Sequence, residues 1–484
     1  MHTAIIFSKP QFDQLQEHLL STPHLEQSAF LLAAPNRTQA ALRLVVHEVI
    51  PLTGSDFDIQ AGAYLSIKDE CSRAVLQRCQ MEGWSLIETH SHPFCDEGVT
   101  FSGIDRANEN EKFRYVARKL PGIYHATMVF GQHSLDAHLF DWRRKVVRPI
   151  DRVIVRGFPF AFHLPTSSSG TPISPELTDN RYDRQVRAFG SLGQACLKQV
   201  CVAIVGLGGA GSHLAQQLAH LGVEQFIIID HDRVEETNLN RLIGASWKSS
   251  LQHEYKVDVA RRMIRRINPQ AHVRRLRSLV HSPEAISLLK EADVIFGATD
   301  NDSSRLVINR MAVQYLIPYL DIGTGIEVES NRIKAIGGQV RMVLPGQGYC
   351  LSCIDGYDRF QAGYDFMSAD QLALRHKAGY GLGEDTPAPA VVFLNGALAS
   401  IAVGEFLNLL VGFKPVQTYT FLDLYTAKMM SIQAEIRADC PCCSPSGHLT
   451  LGDLEKVVFQ RKNDGMVRIP ALTISENCSS DCEV

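Results

Sequence analysis

Two histidines and a later aspartate form a candidate zinc site near the start of the chain. His90 and His92 follow the apolar run Trp84 to Ile87, and on a β-strand this spacing puts both imidazoles on one side. Asp105 can supply a third ligand, which leaves a fourth position for water, as in zinc hydrolases. The metal lowers the pKa of such a water towards neutral, and a nearby carboxylate must take the proton.

The motif around these residues resembles the JAMM (JAB/MPN) metallopeptidases, which cleave ubiquitin-like proteins from the chain attached to their C-termini. It reads His-Ser-His-Pro followed by Ser-Gly-Ile-Asp, and the resemblance covers roughly the first third of the chain. The resemblance implies His90, His92 and Asp105 as zinc ligands, Glu26 as general base, and Ser102 as a stabiliser of the tetrahedral oxyanion.

One feature departs from the family pattern. Nine residues separate His92 from Ser102, about two more than expected. The alternative is a domain that keeps the fold without a metal. Glu88, two residues before His90, is a rival for the general base, because it can point to the same face of the strand.

A second group of residues with chemical potential begins with a glycine-rich loop after a predicted strand, Val200 to Val205. Glycines permit a tight turn and let backbone N–H groups approach phosphate at a helix N-terminus. Asp230 ends the next predicted strand, Gln225 to Ile229, where an acidic residue can bind ribose hydroxyls. This much suits NAD, FAD or ATP, so an NAD-dependent oxidoreductase stays possible. The loop glycines are Gly206, Gly208, Gly209 and Gly211.

Polar and charged residues further along favour ATP. Asn238 and Arg241 follow the second strand, Lys256 lies in a predicted helix, and Asp300 stands in a Thr-Asp-Asn turn after the strand Val294 to Phe296. Two cations and a carboxylate near phosphates suit charge neutralisation and magnesium binding. Hydride transfer to nicotinamide needs no such set. Carboxylate adenylation does, because negative charges must meet and pyrophosphate must leave.

Residues from about 179 to 445 look like the ThiF/MoeB/HesA superfamily, the ubiquitin-activating type of adenylyltransferase. The segment Arg181 to Gln185, Arg-Tyr-Asp-Arg-Gln, matches the opening motif of that family. The resemblance makes Arg184 an arginine finger that reaches into the partner's ATP site in a homodimer. It also implies phosphate binding by the loop glycines, Asn238, Arg241 and Lys256, ribose binding by Asp230, and magnesium binding by Asp300. Packing glycines, surface charges and a helix N-cap at Asp300 are the structural alternatives.

Two Cys-x-x-Cys pairs predict a closed metal site. Cys350 pairs with Cys353, and Cys440 pairs with Cys443, with Cys442 as an alternative ligand or a spare thiol. Four thiolates around zinc form a structural site, and the superfamily has one at matching places. Redox or incidental cysteines are the alternative.

The catalytic cysteine of ubiquitin-activating enzymes is missing from its expected segment, Tyr357 to Ala390. The chain could stop at the acyl-adenylate, pass the acyl group to another protein's cysteine, or form an oxyester at Thr386 or Ser368. The first two are favoured, because a hydroxyl without a placed base is a poor nucleophile. Nothing places Cys478 or Cys482 of the tail near the site.

These motifs predict an α/β protein of two domains. Residues 1 to 150 form a mixed α/β JAMM-like domain, and residues 151 to 178 form a linker rich in Pro, Ser, Thr and Gly. Residues 179 to 445 form a Rossmann-like, mainly parallel, doubly wound domain with a structural zinc knuckle. Residues 446 to 484 receive no role.

Composition is consistent with this organisation. The chain has 484 residues, 45% hydrophobic and 21% charged, with a net charge of -4, which indicates neither nucleic acid nor a membrane as partner. Asn395, Glu405 and Asn408 interrupt the most apolar stretch, residues 390 to 413, so a buried helix is expected there. The 12 cysteines and the absence of an export signal suggest a cytoplasmic protein with metal thiolates.

The expected function is bifunctional. One domain would process or deconjugate a ubiquitin-like protein, and the other would adenylate its C-terminal carboxylate, using ATP, Mg²⁺, one catalytic Zn²⁺ and one structural Zn²⁺. Partners would be a ubiquitin-like or sulfur-carrier protein, a conjugating enzyme and a second copy of the chain. Such fusions resemble proteins of bacterial conjugation or sulfur-carrier operons, some of which serve antiviral defence. The alternatives are a sulfur-carrier adenylyltransferase that forms a thiocarboxylate, and a scaffold with dead sites.

Overall fold

The computed structural model describes residues 2–62, 64–96, 98–169, 180–366 and 389–457. Within these ranges the chain forms two halves, each built on its own large β-sheet. Helices cover the sheets, so most strands carry apolar residues on both faces.

The N-terminal half contains a nine-stranded mixed sheet and a separate two-stranded hairpin of β4 and β5. Its strand order is β11-β10-β1-β3-β2-β6-β7-β8-β9. The strands are β1 (His2–Ser8), β2 (Ser28–Arg37), β3 (Ala41–Pro51), β4 (Phe57–Ala61), β5 (Tyr64–Ile67), β6 (Ser85–Ser91), β7 (His125–Phe130), β8 (Leu135–Asp141), β9 (Val146–Pro149), β10 (Arg152–Arg156) and β11 (Ala161–His163). The helices are α1 (Lys9–Leu19), α2 (Asp69–Glu82) and α3 (Gly103–Lys119).

Strand β2 shows why this half folds as it does. Its residues Ala29, Leu31 and Ala33 pack in a core with α1, while Phe30 and Leu32 pack on the other face with α2 and α3. A strand covered on both faces is apolar throughout, so it lacks the alternation that marks a half-exposed strand.

The predicted linker at residues 151 to 178 was misplaced in its first part. Strand β10 pairs in parallel with β1, and β11 pairs with β10. Val153 and Val155 are buried in the N-terminal core, and this burial holds the segment in the sheet. Residues 170–179 lie outside the described residues.

The C-terminal half contains an eight-stranded sheet, order β14-β13-β12-β15-β16-β17-β18-β19. Its strands are β12 (Cys201–Val205), β13 (Gln225–Ile229), β14 (His272–Leu276), β15 (Val294–Gly297), β16 (Tyr319–Glu329), β17 (Arg332–Val343), β18 (Tyr419–Asp423) and β19 (Lys428–Ser431). Its helices are α4 (Asp183–Gln199), α5 (Gly209–Leu221), α6 (Trp247–Leu251), α7 (Lys256–Ile267), α8 (Pro283–Leu289), α9 (Asp302–Gln314), α10 (Arg359–Asp365) and α11 (Val392–Val411).

The first five strands of this sheet pair in parallel, and β16 to β19 pair antiparallel. The strand order reverses direction between β12 and β15, which leaves a crevice at the carboxyl ends of these strands. Ligands of open α/β sheets bind in such a crevice. The predicted Rossmann-like arrangement is therefore confirmed for β12 to β16.

Helix α11 is the most apolar helix of the described chain. By length and composition alone it could cross a membrane, yet 61% of its most apolar window is buried inside the structure. Asn395, Glu405 and Asn408 are buried with it, and the helix packs along α5 and the sheet. It is therefore placed as a core helix, as predicted.

The two halves share a buried polar contact at the start of the parallel strands. Arg156 of β10 donates to the carbonyl oxygens of Tyr315 and Ala292, both at 2.9 Å, and to Asp293 Oδ1 at 3.1 Å. Burial lowers the pKa of Arg156 to about 10. Because β12 and β15 start here and run away from the N-terminal sheet, their carboxyl ends lie about 13–17 Å further on.

The first residues of the predicted C-terminal tail, 446–457, also join the two halves. Asp453 accepts hydrogen bonds from the backbone N–H of Arg37 at 2.7 Å, from Lys290 Nζ at 2.6 Å and from the Tyr315 hydroxyl at 2.9 Å. Residues 446–457 therefore fasten the C-terminal half to β2. Residues 458–484, including Cys478 and Cys482, lie outside the described residues.

Candidate functional site

The structure brings the three predicted zinc ligands and the predicted general base together at one end of β6. Asp105 Oδ2 lies 3.6 Å from His90 Nε2 and 3.5 Å from His92 Nε2. Glu26 Oε1 lies 3.6 Å from His92 Nε2. The three predicted ligands form a cluster that could hold a metal ion.

Strand pairing explains how Glu26, so distant in the sequence, reaches the histidines. Strand β2 runs antiparallel to β6, with Ser28 opposite His90. The backbone N–H of Gln27 donates to Ser91 Oγ at 3.0 Å, which continues the pairing beyond the strand. Glu26 therefore lies beside the end of β6, where it is only 5% exposed.

The long connection from His92 to Ser102 is fastened to the turn between β7 and β8. Gln132 donates from its side chain to the Pro93 carbonyl at 2.7 Å and from its backbone to the Cys95 carbonyl at 3.0 Å. The backbone N–H of Val99 donates to Ser134 Oγ at 2.9 Å, and Val99 is buried. The extra length of this connection is thus compatible with delivery of Asp105 to the histidines.

The spacing and chemistry of this cluster fit a zinc ion. Ligand atoms of tetrahedral zinc with nitrogen and oxygen donors lie roughly 3.4 Å apart, close to the observed separations. His90 Nε2 is buried and has no hydrogen-bond partner among the described residues. Burial raises the pKa of Asp105, but the imidazoles of His90 and His92 outweigh it and hold that pKa well below its usual range.

Glu26 has the properties of a base. Burial raises its pKa to about 7, with the positive field of His92 opposing and the charge of Asp105 adding to this shift. A carboxylate with such a pKa holds a proton more strongly than an ordinary glutamate, as a general base near neutral pH requires. The rival residue, Glu88, forms an ion pair with Lys112 of α3 instead.

Ser102 has a structural contact in this arrangement. Its hydroxyl oxygen accepts the backbone N–H of Asp105 at 3.1 Å, and Asp105 Oδ2 accepts the backbone N–H of Ser102 at 2.7 Å. This reciprocal pair caps α3 and orients the Asp105 side chain. The oxyanion role implied by the resemblance stays a prediction.

The glycine loop occupies the crevice at the carboxyl end of β12. Gly206 has a φ of +86°, and a Cβ there would lie 2.5 Å from the carbonyl oxygen of Ala298. A Cβ on Gly211 would collide with the carbonyl oxygen of Gly206. A Cβ on Gly208 would meet nothing within 4 Å, so the N-terminus of α5 faces open space, where backbone N–H groups can receive an anion.

Asp230 fastens this loop to the next strand. Its Oδ2 accepts the backbone N–H of Leu207 at 2.6 Å, and its Oδ1 accepts the backbone N–H of Asp232 at 2.7 Å. Burial raises its pKa. Lys256 Nζ lies 2.6 Å from Asp232 Oδ2, so a positive charge stands beside the loop. Asp230 therefore has a supporting contact that the sequence did not predict, and ribose binding stays a prediction.

Asn238 and Arg241 lie in the loop after β13. Asn238 Oδ1 accepts the backbone N–H of Glu235 at 3.2 Å, and Arg241 Nη1 donates to the Thr237 carbonyl at 2.7 Å. The same loop is tied to α5, because the Ile243 N–H donates to the hydroxyl oxygen of the helix residue Ser212 at 3.0 Å. The loop is thus anchored near the first turn of α5.

Asp300 is exposed in the turn between β15 and α9. It is not the N-cap of that helix, because Asn301 caps it by accepting the Ser304 N–H at 2.8 Å. The carboxylate of Asp300 is therefore available beside the loop, since the neighbouring Thr299 and Ala298 contact the place where a Gly206 side chain would be.

Arg305, in the first turn of α9, was not a candidate from the sequence. Its Nη2 donates to the Thr299 carbonyl at 3.1 Å, and its Nε lies 3.4 Å from Oδ1 of the buried Asp321. The available signal was its position four residues after the N-cap Asn301, which places it on the helix face above the cap.

Arg184 lies away from the glycine loop of its own chain. It is exposed on α4, and its neighbour Gln185 donates to the Leu221 carbonyl at 2.9 Å, at the last residue of α5. Helix α5 has 13 residues, so about 20 Å separates this end from the loop.

The two cysteine pairs meet in a buried cluster. Cys350 Sγ lies 4.0 Å from Cys353 Sγ and 3.6 Å from Cys440 Sγ, and Cys353 Sγ lies 3.4 Å from Cys443 Sγ. Sulfur ligands of tetrahedral zinc lie about 3.8 Å apart. Cys442 is nearby, 3.3 Å from Asn309 Nδ2.

The thiols of this cluster compete for ionisation. Hydrogen bonding from Cys440 lowers the pKa of Cys350 below its usual range, whereas hydrogen bonding to Cys350 raises that of Cys443. One thiolate thus keeps its neighbours protonated, and a divalent cation removes that conflict. The donor set therefore fits a closed zinc site.

Comparison with known proteins decides the family of the C-terminal half. The model of the ThiF family matches residues 182–442. This chain belongs to the ThiF family. The matched residues include the glycine loop, the Thr-Asp-Asn turn and three of the four paired cysteines. The fourth, Cys443, lies one residue beyond the match.

Curated relatives of this ThiF chain carry two kinds of name. Ubiquitin-like modifier-activating enzyme 5 of Gallus gallus is 28% identical over 197 residues, which cover 37% of this chain and 47% of that protein. Adenylyltransferase and sulfurtransferase MOCS3-1 of Drosophila pseudoobscura pseudoobscura is 27% identical over 266 residues, which cover 54% of this chain and 52% of that protein. The chain thus spans about half the length of the curated relatives it matches.

Among the solved structures that are similar to this chain is a crystal structure of E. coli MccB with ATP. It is 20% identical to this chain, with a TM-score of 0.44, and the match covers 55% of this chain and 75% of MccB.

Proposed function

We propose that this ThiF-family protein activates the C-terminal carboxylate of a ubiquitin-like or sulfur-carrier protein. The observation that carries the proposal is the convergence of the glycine loop, Lys256 and Asp300 around the carboxyl ends of β12, β13 and β15. ATP supplies the adenylyl group and pyrophosphate as leaving group, with Mg²⁺ to neutralise phosphate charge. The curated relatives support this reading by their names.

In this proposal, positively charged groups of the chain bind the phosphates and a carboxylate binds the metal ion. Backbone N–H groups at the start of α5 bind phosphate oxygens, because they lack partners within the helix and carry its positive dipole. Lys256 and Arg241 add positive charge, which lowers the repulsion between the entering carboxylate and the phosphates. The exposed carboxylate of Asp300 holds Mg²⁺.

The adenylation proposal is tested by ATP–pyrophosphate exchange. The full chain is incubated with ATP, Mg²⁺, labelled pyrophosphate and each of a panel of ubiquitin-like and sulfur-carrier proteins that end in Gly-Gly. We expect label to enter ATP with at least one of them. An exchange rate that is the same with and without the added proteins would contradict a protein substrate of this class.

We also propose that Arg184 acts in the site of a second copy of the chain. The separation of about 20 Å from its own loop supports this, as do exposed apolar side chains on α4 and α6, namely Leu192, Trp247 and Leu251. An isologous dimer would use the same surface of both copies.

A mixture of two inactive variants should regain activity. Arg184→Ala lacks the finger, and Asp300→Ala lacks the magnesium ligand. In a mixed dimer, one site has Asp300 from one chain and Arg184 from the other, so an equal mixture should reach about a quarter of the wild-type exchange rate. A mixture that stays as inactive as its components places Arg184 in the site of its own chain, or in none.

For the N-terminal half we propose hydrolysis of the peptide or isopeptide bond at the C-terminus of the same tag. Zinc held by His90, His92 and Asp105 supplies Lewis acidity when bound. Glu26 takes a proton from the attacking water and delivers it to the leaving amine. The separation of the ligand atoms supports the proposal, as does His90 Nε2, which has no hydrogen-bond partner in the described part of the chain.

Metal content separates the two proposed zinc sites. We expect about two equivalents of zinc per chain, since the histidine and cysteine clusters each suit one ion. His92→Ala should retain about one equivalent, and so should a variant with Cys350 and Cys353 both replaced by serine. Inductively coupled plasma mass spectrometry of the dialysed proteins provides the count. One equivalent in the wild type, unchanged in His92→Ala, contradicts the catalytic zinc.

A second candidate function is sulfur-carrier activation that ends in a thiocarboxylate. The name of the Drosophila relative favours it, as does the lack of cysteine from Tyr357 to Ala390. Residues 367–388 of that segment, with Ser368 and Thr386, lie outside the described residues. Mass spectrometry of the tag separates the outcomes, because a thiocarboxylate exchanges oxygen for sulfur, whereas conjugation forms an isopeptide or oxyester. For either function we propose a cytoplasmic location.

A further inference from the structure

The side-chain amide of Asn395 lies against the glycine loop from a second helix. Asn395 belongs to the first turn of α11 and is 4% exposed. A Cβ on Gly209 would collide with its amide nitrogen. The amide thus fills the space that a side chain at position 209 would take, directly beside the first residue of α5.

Helices α5 and α11 run in the same direction. Gly209 is next to Asn395, a Cβ on Gly396 would lie 3.1 Å from the His213 ring, and Gln217 Nε2 donates to Ser400 Oγ at 3.0 Å. These contacts advance together along both helices, so both N-termini open at the loop. The positive ends of two helix dipoles therefore add at one place.

The amide nitrogen of Asn395 has no hydrogen-bond partner among the described residues. Buried side-chain donors in folded proteins are nearly always paired, and an unpaired one is costly. Thr299 Oγ1, beside Gly206, is also buried and has no hydrogen-bond partner in the described ranges of the chain. Two such polar atoms, beside a loop that faces two helix N-termini, suit the binding of a polar ligand.

We propose that Asn395 donates its Nδ2–H to an oxygen of the nucleotide's phosphate chain, so that α11 forms the second wall of the phosphate site. This inference rests on the proposed ATP-dependent function and adds a binding residue to it. Two helix N-termini and an amide donor select an anion, and the phosphate chain is the anion that the glycine loop receives.

The test is isothermal titration of the full chain with ATP and Mg²⁺, without any tag. Asn395→Asp keeps the shape but replaces the donor with a negative charge, so we expect the Kd for ATP to rise about tenfold or more. Asn395→Ala removes one hydrogen bond, for an expected rise of about three- to tenfold.

Asn408→Asp is the matched control. Asn408 lies in the same helix, is buried, and also has an Nδ2 without a partner among the described residues. It stands 13 residues further on, about 20 Å from the loop, so its Kd for ATP should equal that of the wild type. Circular dichroism and thermal unfolding confirm the fold of each variant.

Different failures have different meanings. A wild-type chain that does not bind ATP contradicts the proposed function itself. Wild-type binding together with an unchanged Kd in folded Asn395→Ala overturns the role of Asn395 alone. Equal weakening by Asn395→Asp and Asn408→Asp also overturns it, because a buried charge anywhere in α11 then explains the loss. If Asn395→Asp does not fold, Asn395→Ala decides.

Discussion

Replacement of Asp300 by alanine is expected to lower the rate of ATP–pyrophosphate exchange by about 10²- to 10³-fold. Asp300 is the exposed carboxylate of the turn after β15, beside the loop that would hold the phosphates. Its loss removes a magnesium ligand, so the charge of the phosphates and of the entering carboxylate is less well neutralised. The measurement is the initial exchange rate at saturating ATP.

Asp302→Ala is the control for this variant. Asp302 lies two residues further on, in the first turn of α9, and Asp302 Oδ1 is 3.6 Å from Arg305 Nη1. It shares the charge and neighbourhood of Asp300 without the proposed metal contact, so its exchange rate should stay within a few-fold of the wild type. Equal loss in both variants would show that the turn, and not a metal ligand, was damaged.

Replacement of Glu26 by glutamine is expected to lower cleavage of a tag precursor by about 10²- to 10⁴-fold. Glutamine keeps the size of the side chain but cannot accept a proton, so water is no longer activated near the histidines. Zinc content should stay at the wild-type level, because Glu26 is not a proposed ligand. Cleavage is followed by gel electrophoresis or mass spectrometry of the precursor.

Two further variants make this result specific. Glu88→Gln changes the rival carboxylate, which is paired with Lys112, and should cleave at nearly the wild-type rate. Asp300→Ala should also cleave normally, because its site lies in the other half of the molecule. A normal cleavage rate in Glu26→Gln, together with loss of cleavage in Glu88→Gln, would show that Glu88 and not Glu26 is the general base.

Local pattern predicted the strands that lead into the glycine loop and its neighbouring turns. The strand predicted at Gln225 to Ile229 is β13 with the same bounds, and the strand predicted at Val200 to Val205 starts one residue later, at Cys201. Helix α5 starts inside the predicted glycine loop, at Gly209. Glycine is a poor helix former, but its missing side chain is what allows α5 to approach β12 and α11 so closely.

Long-range pairing was beyond local pattern. The resemblance alone placed Glu26 with His92, because the register of β2 against β6 is set by burial on both faces and not by nearby residues. Strand β10 was read as linker since polar and glycine residues come soon after it. Asn395 received no role from the sequence, because its meaning depends on a helix that starts 186 residues earlier, at Gly209.

The most direct test of the account is detection of the acyl-adenylate itself. The wild-type chain is incubated with ATP, Mg²⁺ and a tag that supports exchange, quenched in acid, and the tag is weighed by mass spectrometry. We expect a tag that carries AMP, and we expect no AMP on the same tag with an amidated C-terminus or in the reaction with Asp300→Ala. An unmodified tag in every reaction, or AMP on the amidated tag, would contradict activation of the terminal carboxylate.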